Sequence, residues 1–162
     1  MENMIKESFR KGLGFGLTSG IITTVGLMVG LYSGTNLKLA VIGGILTIAV
    51  ADAFSDALGI HISEEFESSH STKEIWESTV FAFLFKFFFS LIFVVPVLIF
   101  DLFWAVVISI VFGMLMIGIF SFQFAKKQNM NPWKATAEHL FIAIIVVVIT
   151  YYVGYLVSLI FN

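Results

Sequence analysis

Apolar positions in this chain fall into five long, nearly continuous blocks, with the polar positions gathered between them. The blocks run over about Leu13–Tyr32, Leu37–Ile60, Thr79–Ile99, Phe103–Phe124 and His139–Ile160. At about 1.5 Å of rise per residue, each is long enough as a helix to cross a hydrocarbon core of about 30 Å. A membrane-spanning barrel needs apolar and polar residues in alternation; these blocks do not alternate, so they read as helices. The pattern predicts an all-α, polytopic membrane protein, with residues 1–162 forming a single domain of five transmembrane helices. Ser33-Gly34-Thr35-Asn36 reads as a tight turn, and Asp101, shortly after Pro96, marks the turn between the third and fourth spans. Two connections are longer. One runs from His61 to Ser78 and is mostly acidic; the other contains Gln128–Asn131, with Pro132 placed to open a helix.

Composition agrees with the pattern. The 162 residues are 59% hydrophobic and 16% aromatic, with only 12% charged, against about a quarter in a soluble domain. Too little polar surface is left to coat a water-soluble globule. A formal net charge of -2 gives no basic excess for nucleic acid. The absence of cysteine removes disulfides, thiolate metal sites and a cysteine nucleophile. No phosphate-binding glycine loop, no H-E-x-x-H and no Ser/His/Asp set is present, so an enzyme is not expected. Lys6, Arg10, Lys11, Lys73, Lys126, Lys127 and Lys134 all fall on one side of a five-span chain, with only Lys38 on the other. The excess of positive charge puts the N-terminus in the cytoplasm and the C-terminus outside or in a lumen. The first block is too long, and lacks the small-residue cleavage pattern, for a secretory signal.

Charges inside the blocks are the candidates for chemistry, because a charged side chain at the bilayer centre costs about 2.5–3.5 kcal/mol. Asp52 and Asp56 lie four residues apart, on one face of the second span. Lys86 in the third span sits at a depth similar to Asp56, so the two helices can pair there. Carboxylate oxygens suit divalent cations, and imidazole suits the transition metals among them. Metal binding to a carboxylate pair displaces protons, as a proton-coupled carrier requires. The alternative is a structural ion-pair cluster tying the second and third helices. His61, Glu64, Glu65 and Glu67 follow at the mouth of the second span, either as a cation-gathering entrance or as a solvated helix end. Glu138 and His139 open the fifth helix, where anchoring competes with metal ligation. Gly12, Gly16, Gly20 and then Gly26 and Gly30 repeat at a spacing of four in the first span, a pattern that lets membrane helices approach closely and fits a two-fold interface with a second copy. The phenylalanines from Phe83 to Phe89 read as lipid-facing bulk.

Three stretches together resemble the vacuolar iron transporter family. They are Gly16–Gly30 (GLTSGIITTVGLMVG), Ala51–Ser63 (ADAFSDALGIHIS), and Asn131-Pro132-Trp133-Lys134 with Glu138 and Thr150–Gly154 (TYYVG). The resemblance spans nearly the whole chain. It implies a five-helix dimer that exchanges Fe²⁺, and often Mn²⁺, for protons and moves metal out of the cytosol, with the first helix contributing to the path at the subunit interface. This chain departs from the family pattern at four positions. Ser19 stands where an Asp is usual, Asp56 where Met is usual, Asp52 where Gly is usual, and Ile60 where a Glu is usual. A metal-facing carboxylate has in effect moved from the first helix to the second, which leaves Mn²⁺, Mg²⁺ or Ca²⁺ open beside Fe²⁺. The helical metal-binding domain of the plant-type members is reduced here to Glu64, Glu65 and Glu67.

The sequence therefore predicts a homodimeric divalent-cation transporter with no permanently bound cofactor. Its cargo is a divalent metal, Fe²⁺ or Mn²⁺, exchanged for protons. Asp52 and Asp56 hold the metal, Ser19 faces them, and Lys86 compensates the acidic pair when metal is absent. Glu64, Glu65 and Glu67 gather cations, with His61 and Glu138 along the path. The host membrane is the cell membrane in a prokaryote, or a vacuolar or other organelle membrane in a eukaryote. The rival reading is a membrane scaffold or accessory subunit that keeps the fold and does not transport.

Overall fold

The computed structural model describes residues 2–67 and 71–161, with side chains from Ser8 onward. The chain folds as α1 (Glu2–Thr35), α2 (Lys38–Phe66), α3 (Thr72–Leu91), α4 (Val94–Ile99), α5 (Leu102–Lys127) and α6 (Pro132–Phe161), with no strand among the described residues. Five spans are long and apolar enough to cross a membrane: Ser8–Thr35, Lys38–Phe66, Thr72–Ile99, Leu102–Lys127 and Pro132–Phe161. The chain is a multi-pass integral membrane protein. One end of the bundle, here the basic end, carries Arg10, Lys11, Lys73, Lys126, Lys127 and Lys134; Lys38 and Asp101 lie at the other.

The helices reach further than the apolar blocks. α2 continues through the acidic run to Phe66, and α3 begins at Thr72, so the expected His61–Ser78 connection shrinks to a few residues. Ser71 explains the early start. Its hydroxyl accepts from the Glu74 backbone N–H, and Glu74 reaches back to the Ser71 N–H in a capping box. Replacing Ser71 with Ala is expected to cost about 1 kcal/mol, read as faster amide exchange confined to the first turn of α3. Asn36 (φ 51) and Asn129 (φ 56) take the left-handed turns that end α1 and α5. Asn131 caps α6 by accepting from the N–H groups of Trp133 and Lys134, with Pro132 in the first turn as expected.

The third span is broken, which the apolar pattern does not show. Pro96 has no N–H, and its ring excludes the carbonyl four residues back. The chain turns at Ile92–Phe93, where Phe93 N–H donates to Ser90 and Val95 N–H to Ile92, and restarts as the short α4.

α1 is the most enclosed span and packs against α2, α3, α5 and α6. Leu17, Ile21, Val25 and Met28 form its core stripe, meeting Ile45 of α2, Phe93 before α4 and Ile117 of α5. The glycine repeat is used within the chain. A Cβ on Gly12 would lie 2.5 Å from Phe81 Cβ, and one on Gly16 2.8 Å from the Ala82 carbonyl oxygen. Further along, Gly30 and Ser33 meet Gly154 of α6, and Ser33 Oγ donates to the Tyr151 carbonyl at 2.8 Å. The lower half of the stripe is thus filled by α3, not by a second copy. The phenylalanines are also not mere lipid-facing bulk. Phe81 and Phe85 take the ring of Phe9 edge-on, and Phe89 packs on the core and on Phe120, while Phe88 is exposed.

Candidate functional site

Close approach of α1 and α3 sets the central site. Without side chains at Gly16 and Gly20, the backbone around Lys86 lies against α1; a Cβ on Gly16 would meet Lys86 N at 2.9 Å. Lys86 is completely buried, on an α3 stripe with Ser78, Ala82 and Ser90. Its ammonium reaches Asp56 and Asp52 on α2, one turn apart. It contacts Asp56 Oδ2 directly and lies 2.5 Å from Asp52 Oδ2. The Asp52 contact is an ion pair without the alignment of a hydrogen bond. Ser19 completes the cluster. Its Oγ donates to Asp56 Oδ2 at 2.6 Å and accepts from Lys86 Nζ at 2.9 Å. Three helices therefore meet at one buried cluster: Ser19 of α1, Asp52 and Asp56 of α2, and Lys86 of α3. The equal depth counted along the sequence is realised as contact.

The cluster is sealed on the lysine side and partly open on the carboxylate side. Lys86 is 1% exposed at its side chain, against 28% for Asp52 and 20% for Asp56. Asp52 opens onto a shallow groove of about 580 Å³ between α1 and α2, lined also by Leu27, Leu31, Gly44, Thr47 and Ser55. Leu27, Leu31 and Ile48 continue into a second groove of about 610 Å³, which Gly26, Gly30 and Gly34 share with Thr150 and Val153 of α6.

The other candidates spread along the basic end. His61 Nδ1 meets Thr79 Oγ1 at 2.9 Å, and its Nε2 lies 3.5 Å from Glu65 Oε1. Glu64 turns inward. It is buried on α1, with both carboxylate oxygens 3.3 Å from Lys11 Nζ. An ion pair pinning α1 to α2 is a different placement from the open, cation-gathering carboxylate that sequence suggested. Glu67 is exposed at the end of α2. Glu138 is also exposed, 3.9 Å from Lys134 within α6, and is not brought to the cluster. His139 meets Ser121 of α5 at 2.8 Å. His70, in the connection that follows α2, reads as a loop histidine without a role in the sequence and lies outside the described residues. In the sequence Lys11 stands out only as an orienting charge and Thr79 only as a span boundary, and Trp76 carries no signal. A basic residue at the level of the acidic run was the available signal for Lys11. Among the described residues no three His, Asp or Glu side chains converge into a ready-made cage.

The five-span bundle thus carries a half-buried carboxylate pair, with Asp52 on an open groove and both carboxylates against a fully buried ammonium. The VIT family model matches residues 56–155, from Asp56 into α6 and more than half of the chain. The chain belongs to the VIT family. The resemblance to vacuolar iron transporters is thereby borne out, and members of the VIT family transport metal ions rather than catalyse reactions. No curated protein matches the chain. The matched region includes Asp56 and Lys86; α1 with Ser19, and Asp52, lie before it.

Proposed function

We propose that this VIT-family chain is a homodimeric, proton-coupled exporter of Fe²⁺ or Mn²⁺ from the cytosol, with the basic end cytoplasmic. The observation that carries the reading is the Asp52–Asp56–Lys86 cluster, a net acidic site in the membrane that is filled on one side by the chain's own ammonium and open on the other. An arriving divalent cation competes with Lys86 for the carboxylates. Lys86 holds the empty site together, and Ser19 keeps Asp56 Oδ2 oriented toward it. Glu65 and Glu67 raise the local cation concentration at the entrance. Two carboxylates are too few for a hard divalent ion, which takes six or more oxygens. A second copy seated on the contiguous grooves of α1, α2 and α6 supplies the matching pair and covers Asp52. Leu27 and Leu31 of α1, which line both grooves, are the residues of that helix offered to it.

Reconstitution in liposomes loaded with a metal-sensitive dye tests the assignment. Asp56→Asn is expected to lower Mn²⁺ and Fe²⁺ uptake at least tenfold, with the protein still monodisperse in detergent. Uptake equal to the parent's means that Asp56 is not in the path. The scaffold reading is favoured by one observation: a single ammonium engages both carboxylates. On that reading, millimolar Mn²⁺ shifts the melting temperature of the parent no more than that of the Asp52→Asn/Asp56→Asn variant. A transporter is stabilised progressively as metal concentration rises above Kd.

A further inference from the structure

The cytoplasmic mouth contains a histidine whose proton position is set by its neighbours. Thr79 Oγ1 donates its hydrogen to the Ile75 carbonyl at 2.7 Å. Toward His61 Nδ1, at 2.9 Å, Thr79 is therefore left to accept, and Nδ1 carries the ring proton. The ring of Trp76 lies 4.7 Å away at 64°, fixing the plane of the imidazole. Nε2 then faces Glu65 Oε1 across 3.5 Å. Two lone-pair-bearing atoms face each other there, and only a cation between them, a proton or a metal ion, makes the meeting favourable.

Geometry distinguishes these two. Nitrogen and oxygen ligands each about 2.1 Å from one ion stand roughly 3.0 Å apart at the right angle of an octahedral site and roughly 3.4 Å apart at a tetrahedral angle. The observed gap of 3.5 Å lies just beyond that range and is long for a charge-assisted hydrogen bond, which prefers about 2.7–2.9 Å. Metal-bound histidines donate their second N–H to a fixed partner that sets tautomer and orientation, and the Thr79–Ile75 relay is such a partner. With side chains 17% and 59% exposed, the pair has an open flank for water ligands.

We propose that His61 Nε2 and Glu65 Oε1 form a two-point docking site for a divalent transition metal, which the ion occupies before passing to Asp56 on the same helix. The passage to Asp56 rests on the transport reading; the docking site itself does not. An imidazole ligand favours Fe²⁺ over Mg²⁺ and Ca²⁺, whose preferences are for oxygen, with the more oxygen-preferring Mn²⁺ the weaker transition-metal guest. The mouth thus supplies the discrimination that a set of carboxylates alone lacks.

The test uses Mn²⁺ on the purified full-length chain, followed by pulsed electron-spin-echo detection of nitrogen coupled to the metal. Nitrogen modulation is expected in the parent, absent in His61→Gln and Glu65→Gln, and retained in the Asp52→Asn/Asp56→Asn double variant. Tenfold excess Ca²⁺ is expected to leave it in place. Thr79→Val, which removes the orienting partner, is expected to weaken this Mn²⁺ binding about tenfold. Bound Mn²⁺ without nitrogen coupling makes His61–Glu65 an ordinary ion pair and overturns the proposal. Coupling that survives His61→Gln assigns the nitrogen to His70 or His139 and overturns it equally. Unaltered uptake by the Asp52→Asn/Asp56→Asn variant sinks the transport site while leaving the docking site standing. A parent that binds no Mn²⁺ ends both.

Discussion

Lys86→Met is expected to lower the melting temperature of the chain in detergent sharply. Methionine matches the length of the lysine stem and fills the same space between α1 and α3, so the loss is one of charge. It leaves Asp52 and Asp56 one turn apart in the membrane, with the Ser19 hydroxyl as the remaining donor in the cluster. Breaking a buried ion pair by removing one partner costs about 3–5 kcal/mol, because the orphaned charge stays buried. A domain's whole stability is about 5–15 kcal/mol. Neutralising the cluster as a whole, with Lys86→Met, Asp52→Asn and Asp56→Asn together, is expected to restore most of the melting temperature while removing both carboxylates that would hold a cation at the cluster. Thermal unfolding of the parent, the single variant and the triple variant in one detergent reads both effects. A single Lys86→Met variant that melts with the parent shows that the ammonium does not hold the three helices together.

A second large effect is expected at Gly154. A Cβ there lands on the Gly30 carbonyl oxygen and on Ser33 Oγ. The first is backbone and cannot rotate away. The second is engaged with the Tyr151 carbonyl. Gly154→Val therefore forces α6 off α1 along the seam that joins them. Ordinary overpacking costs about 1–3 kcal/mol, and here the contacts of a whole helix end are lost as well. The expected outcome is aggregation on solubilisation. Gly59, by contrast, has nothing within 4 Å of the place a Cβ would take. Gly59→Ala removes a flexible residue from the interior of α2 and is expected to stabilise by about 0.5–1 kcal/mol. The two substitutions should move the melting temperature in opposite directions. A shared sign contradicts the packing described for α1 and α6.

The spans were legible because continuous apolar blocks leave few alternatives in a membrane. The pairing of Asp56 with Lys86 was legible for a related reason: charges in hydrocarbon must find each other, and counting residues from the helix ends gives their depth. What escaped was everything decided by the third dimension. The glycine repeat announced close packing and could not say against what, since α3 and a second copy satisfy the same spacing. The acidic run looked like a loop because its residues are polar, yet the Ser71–Glu74 box and the Lys11–Glu64 pair extend the helices past the apolar boundary. Pro96 lay in plain view, but the break it causes four residues earlier is a backbone effect that hydropathy does not register. Glu138 shared the polarity of the site residues, yet it sits apart from them on an exposed turn of α6.

The burial of Lys86 between two aspartates has an electrical consequence. The formal charges sum to one negative unit, two carboxylates against one ammonium, and a divalent ion added without displacing the lysine turns the sum to one positive unit. Each unit charge crossing a potential of 100 mV is worth about 2.3 kcal/mol. On the proposed outward route, an inside-negative voltage opposes the loaded outward step, while a return with one proton bound in exchange carries no net charge. Export by such a site is then slowed by hyperpolarisation and hastened by collapsing the voltage with an ionophore, the reverse of a carrier that brings cations in.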